Sequence, residues 1–206
     1  MAQTKQYQYL CKRYKELKRA LLPSKLSLTG NYQNTTFEKV SAFKLLTHAE
    51  LEYYFEEIAL TIAKDAYEKW KKNNIASPAL VALLAYCKKD FPAIPESTND
   101  QKSKKGLDER IQDAYTQYNS YVRSNNHGIK EKNMLALFLP IGVKKDQIDN
   151  SLLIALDNYG AARGIIAHST KAKQQSSPSD ANQAIKDLIA LIASFDTTIK
   201  NKYKLK

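Results

Sequence analysis

Two side chains in the last quarter of this 206-residue sequence carry the chemistry for proton transfer beside an anion. They are Arg163 and His168, in the run Asp157-Asn-Tyr-Gly-Ala-Ala-Arg163-Gly-Ile-Ile-Ala-His168. An imidazole titrates near neutral pH and can take or give a proton. A guanidinium grips phosphate oxygens in two-pronged fashion, which the point charge of a lysine does not. Arg163 stands out because only five of the 32 basic residues are arginine. A separation of five positions puts the two side chains about 140° apart on an ideal helix, so both can line one edge of a groove without touching. Gly160 and Gly164 lie one turn apart beside them. Each costs a helix interior roughly 1 kcal/mol relative to alanine, so the space they leave is either tolerated or used for a close approach. The alternative is structural: a helix C-terminus whose dipole favours a histidine, with the arginine paired to a surface acid.

Other catalytic patterns are missing. There is no Gly-rich phosphate loop, no HExxH, no GxSxG and no Cys pair at zinc spacing. His48, His127 and His168 are too scattered, with Cys11 and Cys87, for a structural zinc site. His127 lies in an Asn-Asn-His-Gly turn and His48 just before Ala49-Glu50, so both read as exposed surface residues. The two cysteines sit among apolar neighbours and read as buried free thiols in a reducing cytosol.

The elements that must position Arg163 and His168 are helical almost throughout. Tyr7, Leu10, Cys11, Tyr14, Leu17 and Leu21 form an apolar stripe that Pro23 ends, with a loop from Ser24 to Asn34. Thr35 with Glu38 and Thr47 with Glu50 both resemble capping boxes. The second predicts the start of the strongest helix, through Leu51, Tyr54, Phe55, Ile58, Ile62, Ala66 and Trp70. Ser77-Pro78 opens a hydrophobic helix to about Lys89, and Asp90 to Gly106 reads as a flexible loop. Further helices are predicted from Leu107 to the turn at Ser124–Gly128, around Met134 to Phe138 before Pro140, and from near Asp149 toward His168. Lys171 to Ser179 is a polar linker, and Ser177-Pro178 starts a last helix carried to Ile199. The fold class is all-α, an antiparallel helical bundle with additional helices.

Composition agrees. With 43% apolar residues the chain can offset the entropy of ordering. Six Gly and six Pro are too few for an all-β protein stitched by tight turns. The longest apolar runs, Ala79 to Cys87 and Leu188 to Phe195, fall far short of the ~18 residues a membrane span needs. The first twenty residues lack an apolar core, so no secretory signal is expected and the protein is placed in the cytoplasm. The net charge of +11 is uneven: residues 1–46 carry +7, residues 171–206 carry +4, and the middle is neutral. Basic ends are either a solubilising lysine surface or a grip on a polyanion, most simply RNA or DNA.

The run Arg163-Gly-Ile-Ile-Ala-His168 resembles the signature of HEPN-domain proteins, an arginine followed after four to six residues by a histidine. The long helix opened by Thr47-His-Ala-Glu-Leu-Glu-Tyr-Tyr-Phe55, and a late helix ending in Ile-Ala-His, agree with that layout. Within the superfamily the chain is most similar to the RiboL-PSP-HEPN type, over roughly residues 40–200. The resemblance implies a metal-independent endoribonuclease without cofactors, acting on RNA as a homodimer whose two motifs face one cleft. It further implies that Arg163 binds the scissile phosphate and His168 acts as proton donor or acceptor. A toxin or defence role with an antitoxin or defence-system partner follows from the same resemblance, as does the alternative of a catalytically inactive module that binds RNA or a partner protein. Active members often carry a polar side chain directly after the arginine, where this chain has Gly164; Asn158, Ser169 and Glu50 are the candidates to supply that group. Thr170 stands where one toxin subgroup has tyrosine. On this reading residues 1–206 are one domain, with a basic helix and loop (1–35), a HEPN-like core (36–170) and a linker with a C-terminal helix (171–206). Lys12, Arg13, Lys15 and Arg19 are the RNA-binding candidates on the first helix, interleaved with Tyr7, Tyr9 and Tyr14. The stripe of Tyr7, Leu10, Tyr14 and Leu17 itself reads as core or dimer interface.

Overall fold

A computed structural model describes residues 3–27, 30–87, 106–168 and 176–205, with the backbone alone for 165–168. Seven α-helices occupy these residues: α1 (Lys5–Leu21), α2 (Asn34–Asn73), α3 (Pro78–Tyr86), α4 (Leu107–Asn125), α5 (Glu131–Phe138), α6 (Asn150–His168) and α7 (Pro178–Tyr203). Two short 3₁₀ turns, Leu139–Ile141 and Lys145–Gln147, link α5 to α6. No strand occurs among the described residues, and the fold is all-α. The loop predicted for Asp90 to Gly106 and the linker from Lys171 lie largely outside the described residues.

The organising element is α2. Its 40 residues span about 60 Å, and α1, α3, α4, α5, α6 and α7 all pack against it. Val40, Phe43, Leu51, Tyr54, Phe55, Ile58, Ile62 and Ala66 are buried along it. Edge-to-face contacts knit α2 to the rest: the Phe55 ring stands 6.3 Å from Phe138 of α5 and 5.9 Å from Phe195 of α7, which are 5.1 Å from each other. This offset geometry is the one that aromatic quadrupoles favour.

The helix starts at Ser77-Pro78 and Ser177-Pro178 form as predicted. The Ser77 hydroxyl accepts from the Leu80 N–H at 3.3 Å and the Ser177 hydroxyl from the Asp180 N–H at 3.1 Å. The two capping boxes do not form. The helix begins at Asn34 after Gln33, which makes no side-chain cap bond. It then runs unbroken through Thr47, whose hydroxyl donates to the Phe43 carbonyl four residues back at 2.7 Å. A mid-helix threonine satisfies itself this way, which hides it among cap signals. His48 is consequently interior to α2 and 3% exposed, against the expectation of an exposed first-turn residue. The cysteines are free, but half-buried rather than fully buried.

On α1, Tyr7, Leu10 and Leu17 are core residues and Tyr14 packs half-buried beside them. The N-terminus of α1 is clasped to α7. The wholly buried Asp196 carboxylate accepts from the Thr4 N–H at 2.9 Å, the Thr4 hydroxyl at 2.5 Å and the Tyr54 hydroxyl at 2.9 Å.

Candidate functional site

The site is built where α6 crosses α2. Tyr159 fixes the crossing: its buried hydroxyl pairs with the Thr47 hydroxyl at 2.5 Å and reaches the Lys44 carbonyl at 3.4 Å. Burial pushes this phenol well above its ordinary range, so it remains a neutral donor. The His48 ring lies nearly parallel to Tyr159, 6.5 Å away and inclined by 13°. One helical turn beyond Tyr159, Arg163 carries an exposed side chain beside this pair.

His48 is neutral in this setting. Burial first, and the positive charge of Arg163 second, push its imidazole down to about 4. The Glu52 carboxylate stands 3.7 Å from its Nδ1, beyond hydrogen-bonding distance, and does not outweigh those two effects.

The carboxylates of α2 and α6 have another task, which is holding the segment between α4 and α5. Glu52 accepts from the Gly128 N–H at 2.8 Å, and Glu56 from the Asn126 side-chain amide at 2.9 Å. Asp157 accepts from the Glu131 N–H at 2.7 Å, which caps α5 from outside the helix. Asn133 donates to the Asn126 side-chain oxygen at 3.2 Å. Gly128, at φ +140°, makes the bend in a conformation that side-chain-bearing residues rarely adopt. Burial raises the Glu56 carboxyl, and the Asn126 bond opposes it.

The two glycines of α6 differ. A Cβ at Gly160 would lie 3.1 Å from Cγ of Lys130 and 3.6 Å from its Cε, so the lysine stem fills that notch. A Cβ at Gly164 would meet nothing within 4 Å. One glycine is occupied and the other opens onto solvent beside Arg163.

Of the residues singled out from sequence, Arg163 belongs to this constellation. The α6 backbone runs helical to His168, whose ring lies outside the described residues, as does Ser169. Asn158 is exposed on a different face of α6, lining a cavity of about 370 Å³ with Lys44, Ala162 and Asp187. Glu50 is engaged elsewhere: it accepts from Arg13 at 2.8 Å, and Arg13 also reaches Glu16 at 2.6 Å. These two carboxylates raise the Arg13 guanidinium further above its already high range. Lys12, Lys15 and Arg19 are exposed on α1. Glu50 and His48, two positions apart, project about 160° from one another, so the α1 patch and the Arg163 site flank different sides of α2. His127 is exposed, as expected.

Sequence reasoning took His48 for an exposed surface residue and gave no role at the site to Glu52, Glu56, Asn126, Lys130 or Tyr159. One signal existed: His48, Glu52 and Glu56 recur every four residues, a polar file on one face of an otherwise apolar helix. Among the described residues no group of His, Cys, Asp and Glu is arranged to hold a metal ion.

The described residues are all-helical, and α6 carries Arg163 and ends at His168. Residues 12–201 match the family model of RiboL-PSP-HEPN, and the chain belongs to that family. HEPN domains are commonly RNases, which points to an RNA-related function. No curated protein and no solved structure matches the chain. No helix among the described residues is long and apolar enough to cross a membrane.

Proposed function

We propose that the protein is a metal-independent endoribonuclease of toxin or defence type, acting in the cytoplasm as a homodimer. The observation that carries this reading is the state of Arg163. Arg13 is committed to Glu50 and Glu16, and Arg123 stands 3.8 Å from Glu57. Arg163 is exposed, and among the described residues no carboxylate pairs with it. Among the described residues the surface-acid alternative therefore has no acid, and the guanidinium faces solvent near the end of the helix that carries His168.

In this reading the ribose 2′-oxygen attacks phosphorus as an imidazole removes its proton. The bond from phosphorus to the 5′-oxygen breaks, and that oxygen takes up a proton. Arg163 stabilises the charge gathering on the non-bridging oxygens. The products are a 2′,3′-cyclic phosphate and a 5′-hydroxyl, and DNA, lacking the nucleophile, is bound without being cut. One histidine per chain serves poorly as base and acid on opposite sides of phosphorus, and His48 is buried and neutral. A second protomer supplies the second His168, the physical reason for a dimer.

The test is incubation with a long single-stranded RNA in EDTA, using wild type, His168→Ala and Arg163→Ala. Cleavage by wild type to cyclic-phosphate ends, lost in both variants, is expected. Cleavage that survives His168→Ala refutes the mechanism. Binding without cleavage by wild type indicates instead an inactive module that holds RNA or a partner protein. Sedimentation at micromolar concentration tests the dimer, and growth arrest by wild type but not His168→Ala tests the toxin role.

A further inference from the structure

Gly160 is a glycine whose missing side chain is replaced by another residue's. Lys130 precedes α5, and its stem lies in the Gly160 notch with Cγ and Cε both against the helix. Its backbone is held on both sides: Gly128 is bonded to Glu52 and Glu131 to Asp157. A lysine fixed at its backbone and along its stem has less rotamer freedom to lose when its ammonium takes a partner. That ammonium has no carboxylate partner among the described residues. Glu131, the acid next to it in sequence, is taken by Lys145 at 2.5 Å.

The direction of the stem matters. Gly160, Arg163 and Gly164 share one face of α6, and Gly160 lies about 6 Å along the axis from Gly164. Gly164 leaves open main chain on that same face, one turn from the Lys130 stem and adjacent to Arg163. Glu52, Glu56 and Asp157 surround the same region, so a polyanion needs more than one positive charge to settle there.

We propose that Lys130 is a substrate-binding residue that takes a phosphate of the RNA strand next to the one held by Arg163, while the strand passes over the open main chain at Gly164. This rests on the RNase reading above and adds to it a second anchoring point that sets the strand's direction across α6. Lys130 acts on binding and takes no part in proton transfer.

The experiment measures binding of a labelled single-stranded RNA of mixed sequence to His168→Ala protein, which prevents turnover, across about 50 to 200 mM salt. Adding Lys130→Ala is expected to weaken binding roughly three- to tenfold at the lower salt and to reduce the logarithmic salt slope by about 0.7, one single-strand contact. Lys130→Arg is expected to retain both. Gly160→Ala, whose methyl group crowds Cγ of Lys130 at 3.1 Å, is expected to weaken binding as well. Unchanged affinity and slope in Lys130→Ala, with tight binding by its parent, overturns the Lys130 assignment and leaves the RNase reading standing. No RNA binding by the parent overturns both.

Discussion

Replacing His48 with glutamine tests the electrostatics of the site directly. The folded imidazole titrates at about 4, against an ordinary value near 6.5 in the unfolded chain. Between those values the unfolded chain holds a proton that the folded chain does not. Stability is therefore complete above about pH 6.5 and declines as the pH falls toward 4. From pH 7.5 to pH 5 this one group removes about 2 kcal/mol, which for a chain of this size lowers the melting temperature by roughly 4–8 °C. Urea unfolding of wild type and His48→Gln across that range isolates the contribution, because the other titrating groups are common to both. The variant should lack about 2 kcal/mol of the acid-induced loss. Imidazole NMR titration should place His48 near 4 in the wild type. In Arg163→Gln the midpoint should rise yet stay below 6.5, since burial is the larger cause. A His48 midpoint at 6.5 or above, or equal acid slopes in the two proteins, would refute the neutral, Arg163-facing imidazole. It would also reopen His48 as a proton donor.

Three further outcomes are expected. Asp196→Ala strips three donors of their buried acceptor and should cost about 3–5 kcal/mol in urea unfolding, with the N-terminus of α1 losing hydrogen-exchange protection first. Gly164→Ala meets open space and should stabilise α6 by up to about 1 kcal/mol while slowing RNA cleavage, because its methyl group stands where the strand approaches the main chain. Arg13→Ala should leave RNA affinity unchanged, its guanidinium being engaged by two carboxylates, whereas joint replacement of Lys12, Lys15 and Arg19 by alanine should weaken binding of a long RNA and reduce its salt dependence.

The fold was legible where local chemistry decides the outcome. Ser77-Pro78 and Ser177-Pro178 start helices in any context, because the hydroxyl caps and the proline costs nothing in the first turn. Thr47 with Glu50 carries the same local signal, yet the threonine is spent on Phe43 and Tyr159 and the glutamate on Arg13. Only the packing of α1 and α6 against α2 decides that, and no window of sequence contains it. The same holds at the site. Arg163 and His168 are noticeable from residue type, spacing and family resemblance. The cradle of Glu52, Glu56 and Asp157 around residues 126–131 joins segments up to 76 positions apart. The paired glycines were readable as a question about space, and the structure answers it differently at each: Lys130 occupies one and solvent the other.

The clasp between Thr4 and Asp196 joins residues 192 positions apart, and Tyr7 and Tyr14 of α1 add bonds to the Ile189 carbonyl and the Asn182 side chain of α7. A pulling force that separates α1 from α7 therefore loads this seam. The seam works as a mechanical fuse. An unfolding machine that pulls α1 away from α7 must break a buried carboxylate from its donors. Loosening the fuse, as Asp196→Ala does, shortens the protein's lifetime under load without touching a residue of the site.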